Sequence, residues 1–205
     1  MARNRGPLVR RSRRLGMALD PKSERLLDKR PYAPGQHGKT QRPRRMMGYK
    51  LQMQEKQRAR FMYDVLERQF RNYYKRAARM PGVVGDNLLR MLERRLDNVV
   101  FRLGFAVSRR QARQIVNHGH VQVNGGKVDI PSYLVKSGDV VEIRERSRSH
   151  GGIRMSLEAP VLPAVPGWLD RSAEDFRGRV LSEPSEEDLA STQINAQLIV
   201  ELYSR

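Results

Sequence analysis

The chain has 205 residues, enough for one medium-sized domain or two small ones. Its net charge of +18 and pI of about 11.0 predict a polyanionic partner, of which nucleic acid is the usual one. The absence of cysteine excludes disulfides, thiol catalysis and cysteine-ligated zinc, and the lack of a long apolar run or a clean basic amphipathic helix argues against a membrane.

Residues 1–48 form a predicted basic arm. Residues 1–60 carry 18 Lys and Arg against 4 Asp and Glu, and RPYAPGQHG (30–38) is broken by prolines and glycines. Because the arm can bury little apolar surface, we expect it to become ordered on its partner. Its first residues lack the apolar core of a signal peptide. A cytoplasmic compartment is the default expectation, with an organellar transit peptide left open.

A helical domain is predicted over residues 49–92. Val65, Leu66, Phe70, Tyr73 and Ala77 recur at helical spacing, and Asp64 with Glu67 has the spacing of a capping box. Residues 151–205 contain short strand candidates near Trp168 and at 179–181, then the apolar helix INAQLIVELYSR. We expect this whole C-terminal segment to pack on the helical domain and complete it.

Residues 93–150 are predicted to form a small inserted module of helix and antiparallel sheet. Within VSRRQARQIVNHGHVQVNGGKV (107–128), Ser108 and Gln111 indicate a helix start and Gly119 a left-handed stop. Asn124-Gly125, after an alternating strand, is a strong hairpin signal. The predicted fold class is therefore α+β, with a basic arm, a helical domain and an inserted module.

The helix of this module carries Arg109, Arg110 and Arg113 opposite its apolar residues. No acidic residue lies three or four positions after them, so this face should repel itself without a partner. Arginine suits such a face because its planar fork binds phosphate through two hydrogen bonds and stacks on bases. The pattern therefore favours nucleic-acid binding over a merely solvated face.

Neither a metal site nor an enzyme is indicated. The four histidines have no HExxH motif or carboxylate cluster, and the chain lacks GxSxG, P-loop and GxGxxG motifs. We expect no cofactor. Two alternatives stay open from the residues alone: an RNA-modifying enzyme that uses the module for targeting, and a helix-turn-helix DNA regulator, which would be a dimer on symmetric half-sites.

Residues 93–145 resemble the small RNA-binding module of the ribosomal protein S-four family, a module that also occurs in some RNA-modifying enzymes and a tyrosyl-tRNA synthetase. APGQHG (33–38), LQMQEKQRARF (51–61), LERQFRNYYKRA (66–77) and LIVELYSR (198–205) are similar to that ribosomal protein family itself. Some relatives bind zinc through four cysteines in the arm. Here Val9 and Ser12 stand at the first pair, so zinc is not expected.

The resemblance implies a structural constituent of the small ribosomal subunit that is not an enzyme. It implies a primary 16S rRNA binder that nucleates assembly and lies where mRNA enters the subunit, beside proteins of the S-three and S-five types. It also implies an influence on decoding accuracy and a monomer within the ribosome.

We expect the rRNA contacts to come from basic and polar side chains in all three parts of the chain: Arg3, Arg10, Arg13, Arg14, Lys39, Arg58, Arg68, Arg71, Lys75, Arg94, Arg109, Arg110, Arg113, His118, His120, Asn124 and Lys127. The resemblance assigns the mRNA contacts to Arg44, Arg45 and Lys50.

Overall fold

The structure, a computed structural model, describes residues 6–40, 48–157, 164–172 and 174–204. The chain divides into two compact units. One unit comprises Met1–Gly85 and Ile194–Arg205, and the other is the continuous stretch Asp86–Gln193. The second unit is thus an insertion in the sequence of the first.

The first unit is helical. Its helices are α1 (Leu8–Leu15), α2 (Pro21–Lys29), α3 (Tyr49–Met62), α4 (Glu67–Ala77), the first two residues of α5 (Val84–Glu93) and the C-terminal α10 (Ala196–Tyr203).

The predicted arm holds two of these helices, although we expected little structure of its own there. Ser12 explains part of this order, because its hydroxyl donates to the Leu8 carbonyl and accepts from the Leu19 amide. Leu15 and Leu19 are buried, and the side chain of Asp20 caps α2. A few apolar and capping residues therefore give this basic segment local structure.

Helix α10 packs against α3 and also contacts the first residue of α4. Gln52 donates to Glu201 at 2.9 Å, and the Tyr203 hydroxyl donates to Glu67 at 2.8 Å. Ile199 is fully buried. Of the apolar face that the sequence left uncovered on the C-terminal helix, Ile199 is buried, and Leu198 and Leu202 are half-buried.

Glu67 is an ion-pair centre and not part of a capping box. The predicted Asp64–Glu67 box is wrong, because Asp64 has φ +50° and the N-cap of α4 is Leu66. The Glu67 carboxylate instead accepts from Lys56 at 3.0 Å and from Arg60 at 2.8 Å. Burial opposes its ionisation, but hydrogen bonds together outweigh burial and hold the pKa of Glu67 below its ordinary 4.5.

The second unit combines helices with one sheet. Its helices are the rest of α5, α6 (Leu96–Arg102), α7 (Arg109–Asn117), α8 (Gly151–Leu157) and α9 (Glu186–Ala190), with a 3₁₀ turn at Glu145–Ser147. Its strands are β1 (Val121–Val123), β2 (Gly126–Lys127), β3 (Val140–Ile143), β4 (Leu169–Ser172) and β5 (Arg177–Val180). They form an antiparallel sheet in the order β2-β1-β3-β5-β4, so the α+β fold class is confirmed.

The domain boundaries differ from those predicted. We assigned residues 151–205 to the helical domain, whereas the structure places 151–193 with the sheet and Ile194–Arg205 with the helices. The physical reason is strand pairing: β1 covers one edge of β3, and β5 covers the other in register, with Val141 opposite Gly178. Without β5 that edge would leave backbone groups unpaired.

One hydrophobic core holds the second unit together. Trp168, the single tryptophan of the chain, is buried in it with Leu103, Phe105 and Ile143. None of the helices in the described ranges combines the length and apolarity that a bilayer crossing requires.

Candidate nucleic-acid interface

The start of α7 is fixed by its own side chains. The Ser108 hydroxyl accepts from the Gln111 amide at 3.3 Å, as the capping signal predicted. In a complete capping box the Gln111 side chain would accept from the Ser108 backbone amide. Here its Oε1 accepts from the Val107 amide instead, and its Nε2 donates to the Gly152 carbonyl. Ala112, Ile115 and Val116 are buried, so the helix is held firmly on its apolar side.

Arg113 does not belong to the exposed face on which we placed it. It is only 8% exposed, and its Nε and Nη2 donate to Asp97 at 3.0 and 2.7 Å. Arg95 donates to the same carboxylate at 3.0 and 2.6 Å. The acid that balances Arg113 therefore lies sixteen residues earlier, in α6, where a search within α7 could not find it.

Arg109 is half-buried and tied to the same region. Its Nε donates to Asn98 at 2.8 Å, and its guanidinium lies 4.6 Å from the centre of the Phe101 ring. Asn98 in turn donates to Glu93, which also binds Arg102 at 2.9 Å. Arg110 is likewise half-buried. The exposed positions near the end of α7 are Gln114, Asn117 and, just after the helix, His118.

The hairpin after α7 forms as predicted, but its asparagine has a structural role. Asn124 and Gly125 have φ of +49° and +79°, the left-handed pair of a tight turn. The Asn124 amide donates to Asp139 and its oxygen accepts from the Val140 amide. Lys127 is exposed and lies 3.4 Å from Asp129. Of the two predicted contact residues here, Lys127 presents its charge to solvent.

Three histidines meet beside α7. The rings of His118 and His120 lie 6.0 Å apart, and those of His120 and His150 lie 5.3 Å apart. With Gln111, Gln114 and Ile115 they line a cavity of about 220 Å³. Within the described ranges no group of three His, Cys, Asp or Glu side chains is placed to hold a metal ion.

The exposed side of α4 is a continuous basic surface. Arg68, Arg71 and Lys75 lie at i, i+3 and i+7 and are all exposed, while Phe70, Tyr73 and Ala77 are buried on the opposite side. Among the residues that the structure describes, these three cations form no hydrogen bond or ion pair. We call Arg68, Arg71 and Lys75 the α4 basic face.

The other predicted basic residues that the structure describes fall into two groups. Arg10, Arg14, Lys39, Lys50 and Lys127 are exposed. Internal contacts occupy Arg13, which donates to the Tyr32 and Ala33 carbonyls, Arg58, which binds Glu55 at 2.7 Å, and Arg94, which binds Glu183 and the Val135 carbonyl. Arg3, Arg44 and Arg45 lie outside the described residues.

The first unit contains a cavity lined by basic residues, which the sequence did not predict. Its volume is about 690 Å³, and Arg11, Arg60 and Phe61 line it together with the predicted Arg14 and Lys50. The Arg11 guanidinium lies 4.4 Å from the centre of the Phe61 ring. No sequence signal marked Arg11 or Arg60, because α1 and α3 are separated by more than thirty residues.

The fold and these surfaces define a nucleic-acid-binding α+β protein, with a helix-and-hairpin module and a basic helical unit. The family described as "Ribosomal protein S4/S9 N-terminal domain" matches residues 3–93, and the one described as "S4 domain" matches residues 94–141.

Full-length relatives agree. The chain is 51% identical to "Small ribosomal subunit protein uS4" of Chlorobium limicola, 50% to that of Chlorobaculum tepidum and 48% to that of Solibacter usitatus, each over 100% of both chains. The chain therefore belongs to the uS4 family of small ribosomal subunit proteins. This family is structural and not enzymatic, so the alternative of an RNA-modifying enzyme is excluded.

Proposed function

We propose that this protein is a primary 16S rRNA binder that nucleates assembly of the small ribosomal subunit. The observation that carries the proposal is the α4 basic face, three exposed cations on one side of a helix that is buried on the other. Because a phosphate backbone neutralises such a surface, each contact should add affinity and salt dependence. Membership of a small-ribosomal-subunit protein family supports ribosomal RNA as the polyanion.

The buried arginines have a different role in this proposal. Arg113 and Arg95 share Asp97, so their contribution to RNA binding is to hold α7 and α6 in one arrangement. A surface that is shaped before binding suits RNA, whose double helices are recognised mainly by shape and by backbone contacts. On this basis Arg68, Arg71, Lys75, His118 and Lys127 contact rRNA directly.

The test is a salt titration of rRNA binding. Replacing Arg68, Arg71 and Lys75 by alanine should flatten the dependence of log affinity on log salt by about 2 to 3, since each lost phosphate contact removes about 0.7 to 0.9. The matched control replaces three exposed basic residues of the second unit, Lys136, Arg146 and Arg179, by alanine. Equal slopes for both variants would refute the assignment of the α4 basic face.

We further propose that the protein lies where mRNA enters the subunit, beside neighbours of the S-three and S-five types, and influences decoding accuracy. This rests on the resemblance of the segment with Arg44, Arg45 and Lys50, of which Lys50 is described and exposed. We also propose that the protein is a monomer within a cytoplasmic ribosome.

Replacing Arg44 and Arg45 by alanine should slow unwinding of structured mRNA by assembled ribosomes while rRNA affinity stays nearly unchanged. Normal unwinding would exclude this role.

A further inference from the structure

The cavity lined by His118, His120 and His150 has a chemistry that the basic helix faces lack. Gln111, Gln114 and Ile115 of α7 complete its lining, and its volume is about 220 Å³. We call it the histidine pocket. Small-molecule sites usually exceed about 300 Å³, so this cavity suits a phosphate group better than a nucleoside. His118, His150 and Gln114 are exposed at its rim.

The hydrogen bond of His120 is compatible with both of its protonation states. Its Nδ1 lies 2.9 Å from the Ser147 hydroxyl, which is 6% exposed. A hydroxyl donates to a neutral imidazole nitrogen and, by turning, accepts from a protonated one. His120 can therefore gain a proton without losing this contact.

The hydrogen bond of His150 has a backbone amide as its donor. Its Nδ1 accepts from the Gly152 amide at 3.2 Å, so the neutral ring carries its hydrogen on Nε2. The neutral His150 ring thus has only its Nε2–H left to donate, whereas His120 keeps its contact with Ser147 in either protonation state.

The ionisable groups that lower the pKa of His120 are all basic. They are His118 at the end of α7, Arg144 after β3 and His150 before α8, and Lys127 of β2 lies against Gly119 next to it. Burial lowers the pKa of His120, and His150, His118 and Arg144 lower it further. No carboxylate is among the groups that shift this pKa. An empty pocket therefore disfavours the charged ring, whereas a bound anion would favour it.

We propose that the histidine pocket binds one phosphate of the RNA backbone, and that His120 takes up a proton as the phosphate enters. The inference rests on the proposed function, because it names RNA as the source of the phosphate. Its consequence is a proton linkage: rRNA affinity should rise as the pH falls through the range in which imidazole titrates.

The test is calorimetry of the full chain binding the 5′ domain of 16S rRNA, in two phosphate-free buffers with different heats of ionisation. The difference between the buffers gives the number of protons taken up. For the unmodified chain we expect about half to one proton near pH 7, and a correspondingly higher affinity at pH 6 than at pH 8, by roughly 5- to 50-fold. His120→Gln should abolish both effects.

Two further variants complete the design. Ser147→Ala removes the acceptor for the charged ring and should reduce the uptake even if His120→Gln folds poorly. His37→Gln is the matched control, because His37 is the fourth histidine, is exposed and does not line the pocket. It should keep the full uptake.

Each outcome has a defined meaning. Tight rRNA binding with the same proton uptake in the unmodified chain and in His120→Gln would overturn the inference and leave the proposed function intact. No rRNA binding at either pH would overturn both. Proton uptake with inorganic phosphate alone, and none with rRNA, would identify a free-anion site and overturn the assignment to RNA.

Discussion

The carboxylate of Asp97 pairs with two buried arginines of the module, and removing it should destabilise the second unit severely. This carboxylate accepts five hydrogen bonds: two from Arg95, two from Arg113 and one from the backbone amide of Asn98. The side chains of Arg95 and Asp97 are 1% and 5% exposed, so solvent screens their ion pair very little. Asp97→Ala would leave two arginines buried without this counter-charge.

The expected loss follows from that burial. Breaking a buried ion pair by removing one partner costs about 3–5 kcal/mol. Because Asp97→Ala removes the carboxylate from two guanidinium groups, we expect the free energy of unfolding to fall by about 4 kcal/mol. With a urea m value of about 2 kcal/mol/M, the unfolding midpoint should fall by roughly 2 M. Asp97→Asn keeps an oxygen acceptor and should fall between Asp97→Ala and the unmodified chain.

Trp168 makes the measurement specific. It is the only tryptophan and is buried in the core of the second unit, so its fluorescence during urea unfolding reports on that unit. The matched control is Asp129→Ala, which removes an exposed partner of Lys127, where the two side chains are 54% and 52% exposed. Such a pair contributes about 0–1 kcal/mol. If Asp97→Ala and Asp129→Ala shift the midpoint equally, the account of the buried bridge is wrong.

Three further predictions concern single sites. Because the pKa of Glu67 is held below 4.5, the charged carboxylate stabilises the folded chain above that pH, and this stabilisation is lost as the pH falls. Glu67→Gln should therefore be less stable than the unmodified chain at pH 7. In acid-unfolding curves the stability difference between the two chains should shrink below pH 4.5. Gly178→Ala would place a methyl group 2.5 Å from two buried carbons of Leu103, and overpacking should lower stability by about 1–3 kcal/mol in urea unfolding; an unchanged midpoint would show that the core adapts. Ser108→Ala removes the bond to the Gln111 amide and should cost about 1 kcal/mol by the same assay, and a neutral result would contradict the assigned cap.

Local signals in the sequence were sufficient for the helix and hairpin of the module. Ser108, Gly119 and the pair Asn124-Gly125 act on neighbouring backbone groups, so their consequences could be read within a few residues. The α4 basic face was predictable for the same reason, because helical periodicity alone separates Arg68 from the buried Phe70.

The remaining features depend on partners that are distant in the chain. Arg113 looked unbalanced because its acid, Asp97, lies in another helix. The assignment of β5 to the sheet needed the free edge of β3, which no local pattern reveals. The histidine pocket likewise joins His150 to His118 across thirty-two positions, so only the folded chain brings these rings together.

The most direct test of the central claim is binding of the full chain to the 5′ domain of 16S rRNA, titrated with salt in the presence of excess bulk tRNA. A specific rRNA protein should bind tightly despite the competitor, with an affinity that falls linearly on a log–log salt plot through several phosphate contacts. If tRNA abolishes the binding, the net charge of +18 acts without selectivity and the proposal of a primary rRNA binder is contradicted.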